Sequence, residues 1–186
     1  MFTRASLAVL ALSTAIVTPS YAEERNVILI VGDGMDDHQI TIARNYLKGA
    51  RGRLTMDNLP MRGVSQVITV AEDGKTPVYV ADSANSATAM ATGQATSRGR
   101  IAITADGVTP IKTIAEMAHE AGYKTGIVAT ASVTDATPSS FMAHINLRYC
   151  ENPDVINGVE FSGISLGECS AHTKANGGLG SISEQI

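Results

Sequence analysis

The patterned part of the chain begins with an unbroken apolar run, Val27-Ile28-Leu29-Ile30-Val31, that halts at Gly32-Asp33-Gly34-Met35. A run rich in β-branched residues and free of alternation predicts a strand over 26–35, buried on both faces of a parallel sheet. Apolar residues then recur at helical spacing from Asp36 to Gly49, with Ile40, Ala43, Tyr46 and Leu47 on one face and Gly49 as a stop. Leu54 to Pro60 is a connector, Val64 to Val70 alternates as a strand does, Glu72 to Lys75 is a turn, and Pro77 to Val80 is a short strand. That strand delivers Asp82 and Ser83 into a run of Ala, Ser and Thr closed by Gly93, which predicts a helix of close-packing small residues. Gln94 to Gly107 is polar and glycine-containing, with a short strand at Ile101-Ala102-Ile103. The clearest helical stripe follows over Thr109 to Gly122, where Ile111, Ile114, Ala115, Ala118 and Ala121 align, Pro110 suits the first turn and Gly122 the stop. Lys124 to Thr130 is a further parallel strand, and a helix runs from Pro138 to about Arg148. Helix followed by parallel strand is a unit of the βαβ kind and implies an α/β fold. From Glu151 to Ile186 apolar content thins and glycine accumulates, Asn176 to Gly180 being flexible and Ser181 or Ser183 capping a last helix.

Polar residues with chemistry fall at the ends of these strands. Asp33 lies past the first, at the edge of an α/β sheet where ligands bind, and is either a metal ligand or the cap of the next helix. Ser83, behind Asp82, starts a helix; it is either an N-cap or a hydroxyl beside the positive end of the helix dipole, where a nearby anion is favoured. Asp135 and Thr137 follow a third strand, and oxygen ligands suit a hard cation such as Mg²⁺, whereas an Asp at a helix start also serves as a cap. Arg148 stands eleven residues past Thr137, about three helical turns, and either reaches back over that edge or faces water. Asp36, Asp37 and His38 form a solvated first turn or bind metal; His119 lies off its helix stripe, and His144 reads as packing or hydrogen-bonded support.

The N-terminus changes the compartment. Met1 to Ala22 has Arg4, an apolar run from Leu7 to Val17 and the small-residue ending Ser20-Tyr21-Ala22, the pattern of a signal peptide cleaved after Ala22, so 1–22 is leader and 23–186 the domain. It is too short to span a membrane, and nothing later supplies the roughly 18 apolar residues a span needs. A periplasmic or secreted product is expected. Losing Arg4 takes the formal net charge from −4 to −5, which argues against a nucleic-acid partner. Export also bears on the two cysteines, Cys150 and Cys169, which pair in an oxidising compartment or remain free thiols. No CxxC or His/Cys spacing indicates a thiolate zinc site.

Taken together, Val-Gly-Asp-Gly-Met around Asp33, Asp-Ser-Ala-x-Ser-Ala-Thr-Ala from Asp82, Asp-Ala-Thr-Pro from Asp135 and Ala-His-x-x-x-Arg from Ala143 to Arg148 resemble the bacterial alkaline phosphatases. The likeness runs in order from about Asn26 to Ile186. It implies a three-layer α/β/α sandwich with a largely parallel sheet, and metal-dependent hydrolysis of phosphate monoesters through a phosphoserine. By the same resemblance Ser83 is the nucleophile and a Zn²⁺ ligand, Asp33 bridges Zn²⁺ and Mg²⁺, Thr137 and Asp135 serve Mg²⁺, Arg148 holds the phosphate and Asp82 orients Arg148. A homodimer is implied for the full-length enzyme. Phosphoryl transfer asks for positioning and charge neutralisation, which an Arg fork and metal ions supply.

Two departures stand out. In many members of that family His stands where this chain has Asp135, and Asn85 and Asp36 replace smaller residues. The remaining zinc ligands of the family also lie beyond the stretch that this chain matches, and His38, His119, His144 and His172 do not substitute for them. The chain is therefore expected to be the N-terminal part of such a domain, inactive on its own. The alternatives are a related phosphodiesterase or sulfatase, an exported phosphate- or metal-binding module without turnover, and a structural secreted domain with capped helices.

Overall fold

A computed structural model describes residues 26–186; the expected leader, Met1 to Ala22, lies outside the described residues. Two units are distinguished, one ending at Val31 and one running from Gly32 to Ile186. In the first, residues 26–31 belong to no strand, and Val27 to Ile30 are 58–88% exposed. The strand expected over 26–35 is thus not formed.

The larger unit begins with a turn at Asp33-Gly34 and helix α1, Asp37–Lys48. The bounds of α1 follow from local chemistry. Asp36 caps it, accepting from the amides of His38 (2.7 Å) and Gln39 (3.3 Å), and Gly49 ends it at φ 70°. Its expected apolar face is not buried, since Tyr46 and Leu47 are exposed. A single-turn 3-10 helix, Thr55–Asn58, is tied to α1 by a two-pronged ion pair, Arg44 Nε to Asp57 Oδ2 at 2.8 Å and Nη2 to Oδ1 at 2.6 Å. The Arg44 guanidinium, and then the Leu54 amide, hold the Asp57 carboxyl well below the usual carboxylate range. A depressed folded value means that the anchor is intact above the unfolded carboxylate value of about 4 and is lost as pH falls through the folded one. In an acid titration followed by amide NMR, the 55–58 turn is expected to stay docked down to about pH 4 and to detach only below it. Asp57→Asn is expected to detach it at neutral pH.

Strands β1, Thr69–Val70, and β2, Pro77–Val78, pair antiparallel around the Glu72–Lys75 turn; β1 is far shorter than the expected Val64–Val70, whose first half is exposed. Helix α2, Ser83–Thr92, comes next. Ile101 and Ile103 form isolated bridges to Ile145 and Pro110. Helix α3 spans only Ile114–Glu120, because Thr109 to Ile111 are drawn back along residues 102–104 (Thr104 N to Thr109 O 2.9 Å, Ile111 N to Ala102 O 2.8 Å). Thr113 then caps α3, exchanging bonds with Glu116. Lys124 to Thr130 forms no strand, and Val128 is fully exposed.

Helix α4 is a single turn, Ala136–Ser139, rather than the expected helix to Arg148. Ser139 and Ser140 turn their hydroxyls back onto Ala136 O (3.3 and 2.8 Å), the local competition that weakens serine in helices, and Ile145 goes to the bridge with Ile101 instead. A hairpin of β3, Val159–Phe161, and β4, Ile164–Gly167, turns at Ser162-Gly163, both at positive φ. Helix α5, Ile182–Gln185, starts after Ser181 as expected.

Among the described residues the sheets are two antiparallel pairs, so the parallel sheet of the expected sandwich is not built. An apolar run becomes a parallel strand only beside partner strands with both faces covered, and the runs at 26–31 and 124–130 have no such neighbours here. The core is centred instead on α2 and α4: Ala84, Ile101, Ala136, Ile145 and Ile182 cluster with the Cys150–Cys169 disulfide. No described helix is long and apolar enough to cross a membrane.

Candidate functional site

The first turn of α2 carries the hydroxyl at issue. Asp82, in extended backbone, is its N-cap: Oδ1 accepts from the Asn85 amide at 3.0 Å, and Asn85 Oδ1 accepts from the Asp82 amide at 2.9 Å. With Asp82 as cap, Ser83 is the first helical residue and its hydroxyl is not spent on capping. Gly93 closes the helix in the left-handed region. Alanines at 84, 87 and 91 are fully buried, and their small side chains let α4 approach closely enough for Ser140 Oγ to donate to Ala84 O at 3.3 Å.

Arg148 arrives by another route than a helix. The Ile101–Ile145 bridge, two bonds of 3.0 Å, fixes the segment, and the Arg148 amide donates to Gly99 O at 2.8 Å before the chain turns. The guanidinium then reaches α2: Nη1 donates to Ser83 Oγ at 2.7 Å and lies 3.4 Å from Asp82 Oδ2, with its carbon 5.7 Å from the centre of the Tyr149 ring. Gly99 also donates its amide to Asp82 Oδ2 at 3.0 Å, so one residue holds both partners through its backbone. The Arg148 and Asp82 side chains are 23% and 18% exposed, so the pair is sheltered yet open to an incoming anion. Only Nη1 of the fork has a side-chain partner among the described residues. The rest is free for a tetrahedral oxyanion, while the cationic hydrogen bond favours negative charge on Ser83 Oγ.

A second group lies where the sequence anticipated oxygen ligands. Thr137, on α4, donates its hydroxyl to Asp33 Oδ2 at 3.1 Å across 104 residues of sequence. Asp33 is not the cap of α1, a role Asp36 fills, and Asp135, though at the N-cap position of α4, makes no side-chain capping bond. Neither carboxylate is therefore spent on capping a helix. The donors are hard oxygen only, the chemistry that suits Mg²⁺, and Asp33 and Thr137 are the two brought into contact. They do not fit Zn²⁺, which takes three or four N, S or O donors, because no group of three or more His, Cys, Asp or Glu converges among the described residues. No direct contact joins the Asp33–Thr137 pair to Ser83; the packing of α4 on α2 is the link. His144 is support, with Nδ1 at 2.7 Å from Ala102 O and Nε2 at 3.0 Å from Glu116 Oε1. His119 and His38 are exposed.

Sequence reasoning missed three participants. Gly99 acts through its backbone and carries no side-chain signal. Tyr149 follows Arg148 directly, and an aromatic beside a cation was the available cue. Asn85 was visible as a departure from a small residue, without its partners.

The alkaline phosphatase family matches residues 24–172. Streptomycin-6-phosphate phosphatase of Streptomyces griseus is 47% identical over 175 residues, 94% of this chain and 36% of its own. Alkaline phosphatase H of Pseudomonas aeruginosa is 39% identical over 89% of this chain and 33% of its own, and the alkaline phosphatase of Escherichia coli K12 is 39% identical over 87% and 32%. The chain thus spans about a third of the length of the curated relatives it matches.

Proposed function

The chain belongs to the alkaline phosphatase family, and from that premise we propose that it serves phosphomonoester hydrolysis, with Ser83 as nucleophile and Arg148 as the phosphate holder. The observation that carries this is the 2.7 Å bond from Arg148 Nη1 to Ser83 Oγ at the start of α2, braced by Asp82. In the reading it supports, the free part of the fork binds two equatorial oxygens of the phosphoryl group and sets phosphorus against Ser83 Oγ. The Oγ–P bond forms as the ester P–O bond breaks, the alcohol leaves with a proton, and water then attacks the phosphoserine to release phosphate and restore Ser83. Asp33, Thr137 and Asp135 would hold Mg²⁺, which supplies charge neutralisation for the phosphoryl oxygens and lowers the cost of ionising a nearby hydroxyl. The described residues do not complete a zinc site.

The finer reading includes the context. Residues 23–186 form the N-terminal part of a phosphatase domain whose fold is the three-layer α/β/α sandwich; there the apolar runs at 26–31 and 124–130 are strands. The product is exported, periplasmic or secreted, which a buried disulfide supports, and the full-length enzyme is a homodimer acting on phosphate monoesters.

Covalent labelling tests the nucleophile. Incubation of the full-length enzyme with radiolabelled inorganic phosphate at acid pH is expected to give acid-stable phosphoserine at Ser83, and none in Ser83→Ala; label elsewhere, or none in the unmodified enzyme, refutes the assignment. A second reading, phosphate binding without turnover, is favoured for this chain alone because no three-ligand cluster converges among the described residues. With p-nitrophenyl phosphate, Zn²⁺ and Mg²⁺, the purified chain is expected to stay at the reagent blank, and zinc-dependent turnover would overturn that reading.

A further inference from the structure

Asn85 is fully buried at the third position of α2, where a capping-box partner usually lies at the surface. Its side chain has one acceptor and two donors, and each meets a group from a different part of the fold. Oδ1 accepts from the Asp82 amide at 2.9 Å. Nδ2 donates to Thr69 Oγ1, on β1, and at 3.3 Å to Thr96 O, in the loop that leads to Gly99. Thr69 itself is buried and donates to the same Thr96 carbonyl at 3.3 Å.

These bonds continue into the site. Asp82 turns one carboxylate oxygen inward to the Asn85 amide and the other outward to the Gly99 amide and Arg148 Nη1. The backbone on either side of Ser83 therefore has its direction set by Asn85, and the Asp82 oxygen that meets Arg148 is set by the same contact. We propose that Asn85 is a positioning residue for the nucleophile: it fixes the Asp82–Ser83 turn against β1 and the 96–99 loop, so that Ser83 Oγ and Arg148 face one phosphoryl group. The inference rests on the reading of Ser83 and Arg148 given above. Alanine at this position leaves the Asp82 amide without its partner, removes one of the donors to the Thr96 carbonyl and lets the turn rotate. Aspartate keeps the acceptor and loses both donors.

The comparison that separates positioning from plain stability is Thr88, one turn further along α2. It is equally buried, accepts from the Ala102 amide at 2.9 Å, donates to Arg100 O at 3.1 Å, and has no contact with the nucleophile turn. Inorganic phosphate is titrated calorimetrically into the full 186-residue chain and into Asn85→Ala, Thr88→Val and Arg148→Ala, with urea midpoints measured for each. Asn85→Ala is expected to weaken phosphate binding by about tenfold, the scale of a lost hydrogen bond at a charged site. Thr88→Val, destabilised to a similar degree, is expected to stay within about twofold. Should Asn85→Ala not fold, Thr69→Val, which removes one anchor of the amide, is expected to weaken binding in the same direction. Equal weakening in Asn85→Ala and Thr88→Val, or unchanged binding in the Asn85 and Thr69 variants, overturns the inference. Phosphate binding that Arg148→Ala abolishes and Asn85→Ala leaves intact overturns the positioning role alone. A chain that binds no phosphate, or binds it equally well without Arg148, overturns the site reading and this inference with it.

Discussion

Replacing Cys150 and Cys169 together by alanine is expected to lower the unfolding free energy by about 3 kcal/mol, the loop-closure value for a bridge of this span. The two residues are 19 apart, and both are fully buried in the cluster that contains Ile101, Ile145 and Ile182. Breaking the bridge releases the loop that carries β3 and β4, whose exposed Phe161 and Ile164 contribute little packing to hold it. Backbone bonds then bear the load: Cys169 N to Ile156 O at 2.7 Å, and Ile182 N to Cys150 O at 3.1 Å, the latter tying α5 to the same point. In urea the midpoint is expected to fall. The slope is expected to rise with it, since an uncrosslinked chain exposes more surface when unfolded. A midpoint within error of the unmodified chain would show that the core alone sets the stability.

Legibility from sequence followed the range of the interaction. Capping is a matter of three or four residues, and α1, α2 and α5 begin and end where Asp36 and Gly49, Asp82 and Gly93, and Ser181 place them. Strands depend on partners. The run at 27–31 has strand composition, but nothing in that composition says what pairs with it, and the structure leaves it unpaired. Local competition decided two helices. Thr109 to Ile111 satisfied their backbone on residues 102–104, which moved the start of α3 to Thr113, and the hydroxyls of Ser139 and Ser140 helped end α4 after one turn. The β3–β4 hairpin had a readable cue, Ser162-Gly163 between two apolar segments, which low apolar content elsewhere in that region obscured.

The grouping of the candidate residues was more legible than the fold around them. Ser83, Asp82 and Arg148 are brought together, and so are Asp33 and Thr137, although the expected helix to Arg148 is absent. The reason is that residue chemistry marks a site wherever the backbone runs, while the Ile101–Ile145 bridge supplies by a turn the placement expected of a helix. What stayed hidden was the support. Gly99 contributes only its backbone, and the role of Asn85 depends on Thr69 and Thr96, 16 and 11 residues away.

Removing the Arg148 side chain is expected to weaken inorganic phosphate binding by about ten- to a hundredfold, the range of about 1.5–3 kcal/mol for hydrogen bonds to a charged group. The scaffold should survive the change. The Arg148 amide keeps its 2.8 Å bond to Gly99 O whatever its side chain, and Asp82 keeps the Gly99 and Asn85 amides at 3.0 Å each. A partly exposed ion pair contributes about 1 kcal/mol or less, so the urea midpoint of Arg148→Ala is expected to move little while affinity moves much. Arg148→Lys separates charge from geometry. Lysine retains the positive charge but not the planar fork, so it is expected to recover part of the affinity and none of the two-pronged grip. Full recovery by lysine would mean that the site reads charge alone. Unchanged affinity in Arg148→Ala would remove Arg148 from the phosphate site and leave its bond to Ser83 a structural contact.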